Sequence, residues 1–108
     1  MRDPVDAVFA ALADPSRRFV LETLASQGTA TPTELAADLP VTRQAVAKHL
    51  DVLGAAGLVA ANKSGREVRY TCTPAPLDDA SRWLAEVGTA WDRRLRALRT
   101  HLARGVAT

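Results

Sequence analysis

The sequence predicts a mainly α domain with a small β-hairpin, in the order four helices, two strands and one long final helix. Residues 3–57 contain four segments with apolar residues at helical spacing, each opened by a residue suited to capping a helix. Residues 58–73 switch to alternation around a glycine turn. Residues 76–104 carry one apolar stripe at steps of three and four.

The composition bounds the class of protein. A chain of 108 residues forms one domain, with 47% hydrophobic and 24% charged residues, as in ordinary globular proteins. Its single cysteine, Cys72, cannot form an internal disulfide, and neither a leader-like apolar segment nor a membrane-spanning run is present. We therefore expect a cytoplasmic protein without membrane contact.

The helix starts are marked by local signals. Asp3-Pro4 and Asp14-Pro15 each place a capping carboxylate before a proline at the first helical position. The second of these helices ends at Gly28, and its predicted apolar face comprises Phe19, Val20, Leu21 and Leu24.

A helix-turn-helix is predicted over residues 31–57. Thr31 and Glu34 form a capping box that opens a short helix over residues 34–39, which Pro40 ends. Thr42 caps the next helix, which runs to about residue 56 and ends at Gly57. Two helices joined by so short a turn form this motif.

The hairpin and the final helix complete the chain. Strands over residues 58–63 and 67–73 flank Ser64-Gly65-Arg66, and Pro74-Ala75-Pro76 should break all regular structure. The final helix would be about 39 Å long, whereas a globule of this size has a radius of gyration near 13 Å. Its stripe therefore needs a further surface, which a second copy would supply, although burial within one chain stays open.

Basic residues concentrate in the middle of the chain. Residues 1–39 carry a net charge of −3, residues 40–73 carry +3, and the remainder carries +2. In the second helix of the motif, Val46, Leu50 and Leu53 should face the core. The opposite face carries Arg43, Gln44, Ala47, Lys48 and Asp51. Arg and Lys can bond guanine, Gln can bond adenine, and Ala can touch a thymine methyl, although a solvated face is the alternative.

Several runs resemble the ArsR-type winged helix-turn-helix repressors. They are Asp14-Pro15-Ser16-Arg17-Arg18 with Leu21 and Leu24, then Glu34-Leu35-Ala36, then Val46 to Val59, and finally Gly65-Arg66 with Tyr70. The resemblance covers nearly the whole chain. It implies a winged helix-turn-helix with the wing at 58–73, and a homodimer that places two recognition helices in successive major grooves of an inverted repeat in double-stranded DNA.

The resemblance also implies which residues carry the function. The predicted DNA-binding residues are Thr42, Arg43, Gln44, Ala47, Lys48, His49, Lys63, Arg66 and Arg69. The predicted dimer interface comprises Val5, Phe9, Leu84, Val87, Gly88, Trp91, Leu95 and Leu98. An autoregulating repressor is implied, and an unidentified small-molecule inducer stays open.

Metal sensing and cofactor binding are not expected. Ala36 and Ala37 stand where metal-sensing members of the family carry cysteines, and the final helix offers acidic residues with one late histidine, His101. These donors are a poor set for tetrahedral zinc. The first-turn pair Asp78 and Asp79 instead suits the helix dipole.

Several residues, and the chain as a whole, have alternative interpretations. Cys72 could be a redox switch or a small buried hydrophobe, and Trp83 and Trp91 could line a ligand pocket or anchor packing. His49 could tune DNA affinity with pH or serve the structure. A winged helix used only for protein contacts is the alternative function, whereas no nucleophilic triad, phosphate loop or paired carboxylates indicate an enzyme.

Overall fold

The computed structural model describes residues 3–107. Five helices and three strands follow one another in these residues. They are α1 (Pro4–Leu12), α2 (Pro15–Gln27), β1 (Thr29–Ala30), α3 (Pro32–Ala37), α4 (Arg43–Ala55), β2 (Val59–Ser64), β3 (Glu67–Cys72) and α5 (Ala75–Ala107). The predicted mainly helical fold with a hairpin between the fourth helix and the last is confirmed.

Each of the first four predicted helix starts is capped as expected. The carboxylates of Asp3 and Asp14 accept hydrogen bonds from backbone N–H groups at the start of α1 and α2, both at 2.8 Å. The Thr42 hydroxyl accepts from the amide of Ala45 at 3.1 Å. The capping box of α3 is complete, because Thr31 and Glu34 each accept the other's backbone N–H. Local sequence signals therefore set these starts.

The sheet has a third strand that the sequence did not predict. The order is β1-β3-β2, with all neighbours antiparallel, and Thr29 lies opposite Thr71 while Ala30 lies opposite Tyr70. Two residues are too short to show alternation, so only the pairing with β3 makes this segment a strand. The prediction of an isolated two-stranded hairpin was incomplete.

Two helix boundaries also differ from the prediction. Helix α3 covers Pro32–Ala37 rather than residues 34–39. Helix α5 begins at Ala75, so Pro76 lies in its first turn. Proline is tolerated there because the first amides of a helix have no partner within it. Strand β3 ends at Cys72, so no element crosses Pro74, but the break is narrower than the predicted residues 74–76.

The core forms where α1, α2, α3, α4, the sheet and the start of α5 meet. Among the described residues, the side chains that are almost fully buried include Val8, Val20, Leu24, Leu35, Val46, Leu50, Leu53 and Leu58. The prediction that Phe19 belongs to the apolar face buried by α2 was wrong, because its side chain is 62% exposed. Helix α2 instead turns Val20, Leu21 and Leu24 inward, and Phe19 lies beside Leu39 and Val41 in a small apolar pocket of about 90 Å³.

Helix α5 extends well beyond this core. Its 33 residues span about 50 Å at 1.5 Å per residue, and the described chain measures 75 × 29 × 24 Å. The radius of gyration is 20.0 Å, against about 13 Å expected for a compact domain of this length. Leu77 and Ala80 pack on the core, whereas the rest of the predicted stripe lies away from it.

Candidate nucleic-acid interface

Helix α4 has an exposed polar face opposite a fully buried apolar face. Val46, Leu50 and Leu53 are 0% exposed, so the helix cannot roll without opening the core. Arg43, Gln44 and Lys48 are exposed on the other side. Ala47 and His49, also predicted to contact DNA, are half-buried and offer less surface.

The start of α4 is exposed to solvent. Thr42 caps the helix and is itself exposed, as are the next two side chains, Arg43 and Gln44. The free amides of the first turn carry the positive end of the helix dipole. This end of α4 thus offers positive potential together with two long side chains able to bond base edges.

The hairpin ends in a tight basic turn. Strands β2 and β3 are joined by Gly65 and Arg66, and Gly65 has φ of +61°, which a side chain would strain. A two-residue turn with glycine first is a favoured hairpin connection. Lys63 lies opposite Val68 near the turn, and both Lys63 and Arg66 are exposed.

A groove of about 660 Å³ separates this hairpin from the helix-turn-helix. Arg43 lines it from the start of α4 and Arg66 lines it from the hairpin turn. Thr31, Pro32, Thr33 and Glu34 line it from the start of α3, and Glu67, Val68 and Tyr70 from β3. The fold therefore brings together two predicted arginines that lie 23 residues apart in the chain.

The predicted cations divide into free and paired ones. Among residues 3–107, Arg43, Lys48, Lys63 and Arg66 form no ion pair. Arg69 differs, because its Nη1 lies 3.0 Å from Oε1 of Glu34 and 3.4 Å from Oε2 of Glu67. Its Nε also donates to the Thr29 hydroxyl at 3.3 Å.

Sequence reasoning missed the residues that shape the groove. Glu34 was recognised only as a capping residue, and Thr33, Glu67 and Tyr70 were given no place in the site.

Two arginines near the start of α2 are held by backbone carbonyl groups. Arg17 and Arg18 donate hydrogen bonds to the carbonyls of Ala11 and Leu12, both at 2.6 Å. In the Asp14–Arg18 run that resembles the ArsR-type repressors, both arginines therefore cap the last carbonyl groups of α1.

The exposed face of α5 contains most of the predicted dimer residues. Leu84, Val87, Trp91 and Leu98 are 53%, 47%, 61% and 52% exposed, and Leu95 is half-buried. Apart from its chain neighbours and the backbone of its own helix, no atom lies within 4 Å of where a Cβ on Gly88 would stand. Val5 and Phe9 of α1 are half-buried against the core, so they are partly covered within one chain.

The remaining candidates for chemistry are modest. Cys72 is half-buried with its Sγ 3.9 Å from the carbonyl of Leu21, and this burial raises the pKa of its thiol. Within residues 3–107, no three His, Cys, Asp or Glu side chains are grouped so that they could hold a metal ion. None of the helices in this part of the chain is apolar enough over sufficient length to cross a membrane.

Comparison with known proteins agrees with this geometry. Residues 12–60 match the family model described as a helix-turn-helix domain. The HTH-type transcriptional regulator CmtR of Mycobacterium bovis is 43% identical over 82 residues, which cover 76% of this chain and 69% of the regulator.

Solved structures extend the likeness to the whole fold. An ArsR-like transcriptional regulator from Rhodococcus sp. RHA1 superposes with a TM-score of 0.80 at 44% identity, covering 90% of this chain and 91% of the other. The homodimeric winged helix-turn-helix DNA-binding domain of a Mycobacterium bovis protein has a TM-score of 0.61 at 28% identity, over 86% and 82% of the two chains. Both solved structures therefore share the overall fold of this chain over most of its length.

Proposed function

Because the chain belongs to the ArsR-like family of winged helix-turn-helix transcriptional regulators, we propose that it is a homodimeric repressor that binds an inverted-repeat DNA operator. The start of α4 enters the major groove, and the hairpin serves as the wing that follows the phosphate backbone beside it. Two copies related by a two-fold axis read the two half-sites.

The observation that carries this proposal is the pairing of α4 with the wing across one groove. Arg43 and Arg66 line it from opposite sides, and both guanidinium groups are free of ion pairs among residues 3–107. Cations held in place without a protein partner are what a polyanion needs. A winged helix used only for protein contacts would not need them.

The side chains differ in their proposed roles. Arg43, Gln44 and Lys48 contact base edges, because they project from the exposed start of α4, and Ala47 leaves room for the helix to approach. Thr42, His49, Lys63 and Arg66 bind phosphates or sugars and set the register. Arg69 differs from these residues, because its guanidinium already has partners within the chain.

The homodimer is proposed from the apolar face of α5. Four large apolar side chains, Leu84, Val87, Trp91 and Leu98, are each about half exposed along one side of a helix that the core does not cover. Isolated proteins rarely expose so long an apolar strip. A second α5 covers it, and Gly88 allows the two backbones to approach closely. The M. bovis neighbour named above is a homodimer.

The test is selection of bound fragments from random duplex DNA, followed by sequencing. We expect an enriched inverted repeat whose half-sites lie about one helical turn apart. The double variant Arg43→Ala and Gln44→Ala should lose the enrichment. Arg96→Ala, which removes an exposed arginine from α5, is the matched control and should retain it. Salt-sensitive binding without any enriched sequence would contradict the proposal.

A further inference from the structure

Arg69 joins strand β3 to residues 29–34, a segment that lies some 40 positions earlier in the chain and contains β1 and the start of α3. Its Nη1 pairs with Glu34 at 3.0 Å and Glu67 at 3.4 Å, its Nε donates to the Thr29 hydroxyl at 3.3 Å, and its Nη2 donates to the Thr29 carbonyl at 3.5 Å. The guanidinium thereby connects β3 with β1 and with the start of α3. Since arginine has five N–H donors, these contacts leave few for any other partner.

Two of these partners also line the groove between α4 and the wing. Glu34 and Glu67 are exposed carboxylates in the same lining as Arg43 and Arg66. A DNA strand entering the groove would meet both carboxylates, which repel phosphate. Arg69 lies between them and offsets their charge.

Glu34 is held in place by more than this ion pair. One carboxylate oxygen, Oε1, accepts the backbone N–H of Thr31 at 2.9 Å and also faces Arg69. These contacts hold the pKa of Glu34 below its usual range, with the Thr31 backbone hydrogen bond as the largest cause and Arg69 as a further one. The carboxylate thus stays charged near neutral pH and would repel phosphate unless a cation lay beside it.

We propose that Arg69 is a positioning residue: it offsets one of the two negative charges of Glu34 and Glu67 and ties the base of the wing to β1 and α3, so that the groove accepts the DNA backbone. It does not bind phosphate itself. This inference rests on the proposed function, and it replaces the direct DNA contact predicted for Arg69 from the sequence.

The substitution Arg69→Gln should leave the fold intact. The ion pairs lie at the surface, where such pairs contribute little to stability. DNA affinity should nevertheless fall roughly tenfold at low salt, because two uncompensated carboxylates then face the phosphates. Arg69→Lys, which keeps the charge, should recover most of this loss.

A double-mutant cycle separates the two roles of Arg69. The pair Glu34→Gln and Glu67→Gln removes both charges, and glutamine still completes the capping box. Affinity for the selected operator is measured by fluorescence anisotropy. When Arg69 is present, we expect this pair of substitutions to change DNA affinity little. In the Arg69→Gln background, we expect the same pair to restore most of the lost affinity. Equal gains in both backgrounds would show independent action and overturn the proposal.

Arg66→Gln serves as the comparison for a direct contact. It should reduce the slope of log affinity against log salt concentration by about the amount that one phosphate contact contributes. Neutralising the two glutamates should not restore the affinity that Arg66→Gln loses.

Amide hydrogen exchange of the free protein tests the structural half. Arg69→Gln should accelerate exchange in β1, whereas Arg66→Gln should not. Unchanged exchange in β1 would overturn the clamp. If the wild-type chain selects no DNA, the proposed function fails, and the exchange result still decides whether Arg69 holds the wing.

Discussion

The ring of Phe9 packs edge-on against the indole of Trp83, with 5.7 Å between the ring centroids and an interplanar angle of 65°. This contact joins α1 to the third turn of α5. Beyond it α5 leaves its own core, and Leu84, Val87, Trp91, Leu98 and Leu102 are each about half exposed. The aromatic pair therefore marks the boundary between the docked and the projecting part of the helix.

Replacing Phe9 should loosen that docking. We expect Phe9→Leu to lower the free energy of unfolding by about 1–2 kcal/mol, from lost aromatic contact and partial burial. Chemical denaturation at fixed protein concentration measures it, because dimerisation would make stability concentration-dependent. Phe19→Leu is the matched control, since Phe19 is 62% exposed and the same change there should cost far less. Equal losses would contradict the role given to the aromatic pair.

A charge in the α5 stripe should dissociate the dimer. Trp91→Glu places a carboxylate where two apolar faces would meet, so light scattering should report the mass of one chain. Leu95→Glu should act in the same way. Arg96→Glu also introduces a carboxylate on α5 but lies away from the stripe, and it should preserve the mass of the wild-type protein. An unchanged mass for both stripe variants would exclude this interface.

Base-reading and phosphate-binding residues should separate in their salt dependence. Gln44→Ala should cost about 1–3 kcal/mol on the selected operator and relax the preference at one base pair. Lys63→Ala should weaken binding to all sequences and reduce the salt slope by about one contact. Titrations of the operator and of a scrambled duplex at several salt concentrations measure both. If Gln44→Ala weakens the scrambled duplex equally, Gln44 does not read a base.

Acid should destabilise the fold through its helix caps. The pKa of Asp14 is lowered, chiefly by the backbone N–H of Arg17 and then by that of Ser16, with the charges of Arg17 and His49 contributing. The pKa of Glu34 is lowered mainly by the hydrogen bond from the backbone N–H of Thr31. Both groups bind protons more readily in the unfolded chain, so their contribution is complete above the ordinary carboxyl pKa of about 4 and is lost as pH falls through the lower folded values.

Denaturation curves between pH 7 and pH 2 measure this effect. Asp14→Asn keeps a capping oxygen but removes the titration, so its stability should fall less steeply in acid than that of the wild type. Parallel curves for the two proteins would contradict the assignment to Asp14.

What the sequence predicted correctly depends on neighbours in the chain. The caps at Asp3, Asp14, Thr31 and Thr42 need only residues two or three positions away, and the buried face of α4 follows from its period. The β1 strand and the Arg69 contacts instead join residues about 40 positions apart. No local pattern encodes such a pairing.

The errors have the same origin. Phe19 was placed on the apolar face because it directly precedes Val20 and Leu21, yet three consecutive residues cover more than one side of a helix, and neighbouring elements decide which side is buried. Arg69 was grouped with the wing cations by its charge alone. Its partners Glu34 and Thr29 become visible only once β1 and α3 are placed beside β3.

Cys72 should behave as a packing residue. Burial raises the pKa of its thiol, so the reactive thiolate is scarcer near neutral pH than in a free cysteine. We expect slow reaction with a thiol reagent in the folded protein and fast reaction after denaturation. Operator binding should survive mild peroxide treatment, and Cys72→Ala should bind with the same affinity. Peroxide-induced loss of binding that a reductant reverses, and that Cys72→Ala lacks, would instead establish a redox-responsive regulator.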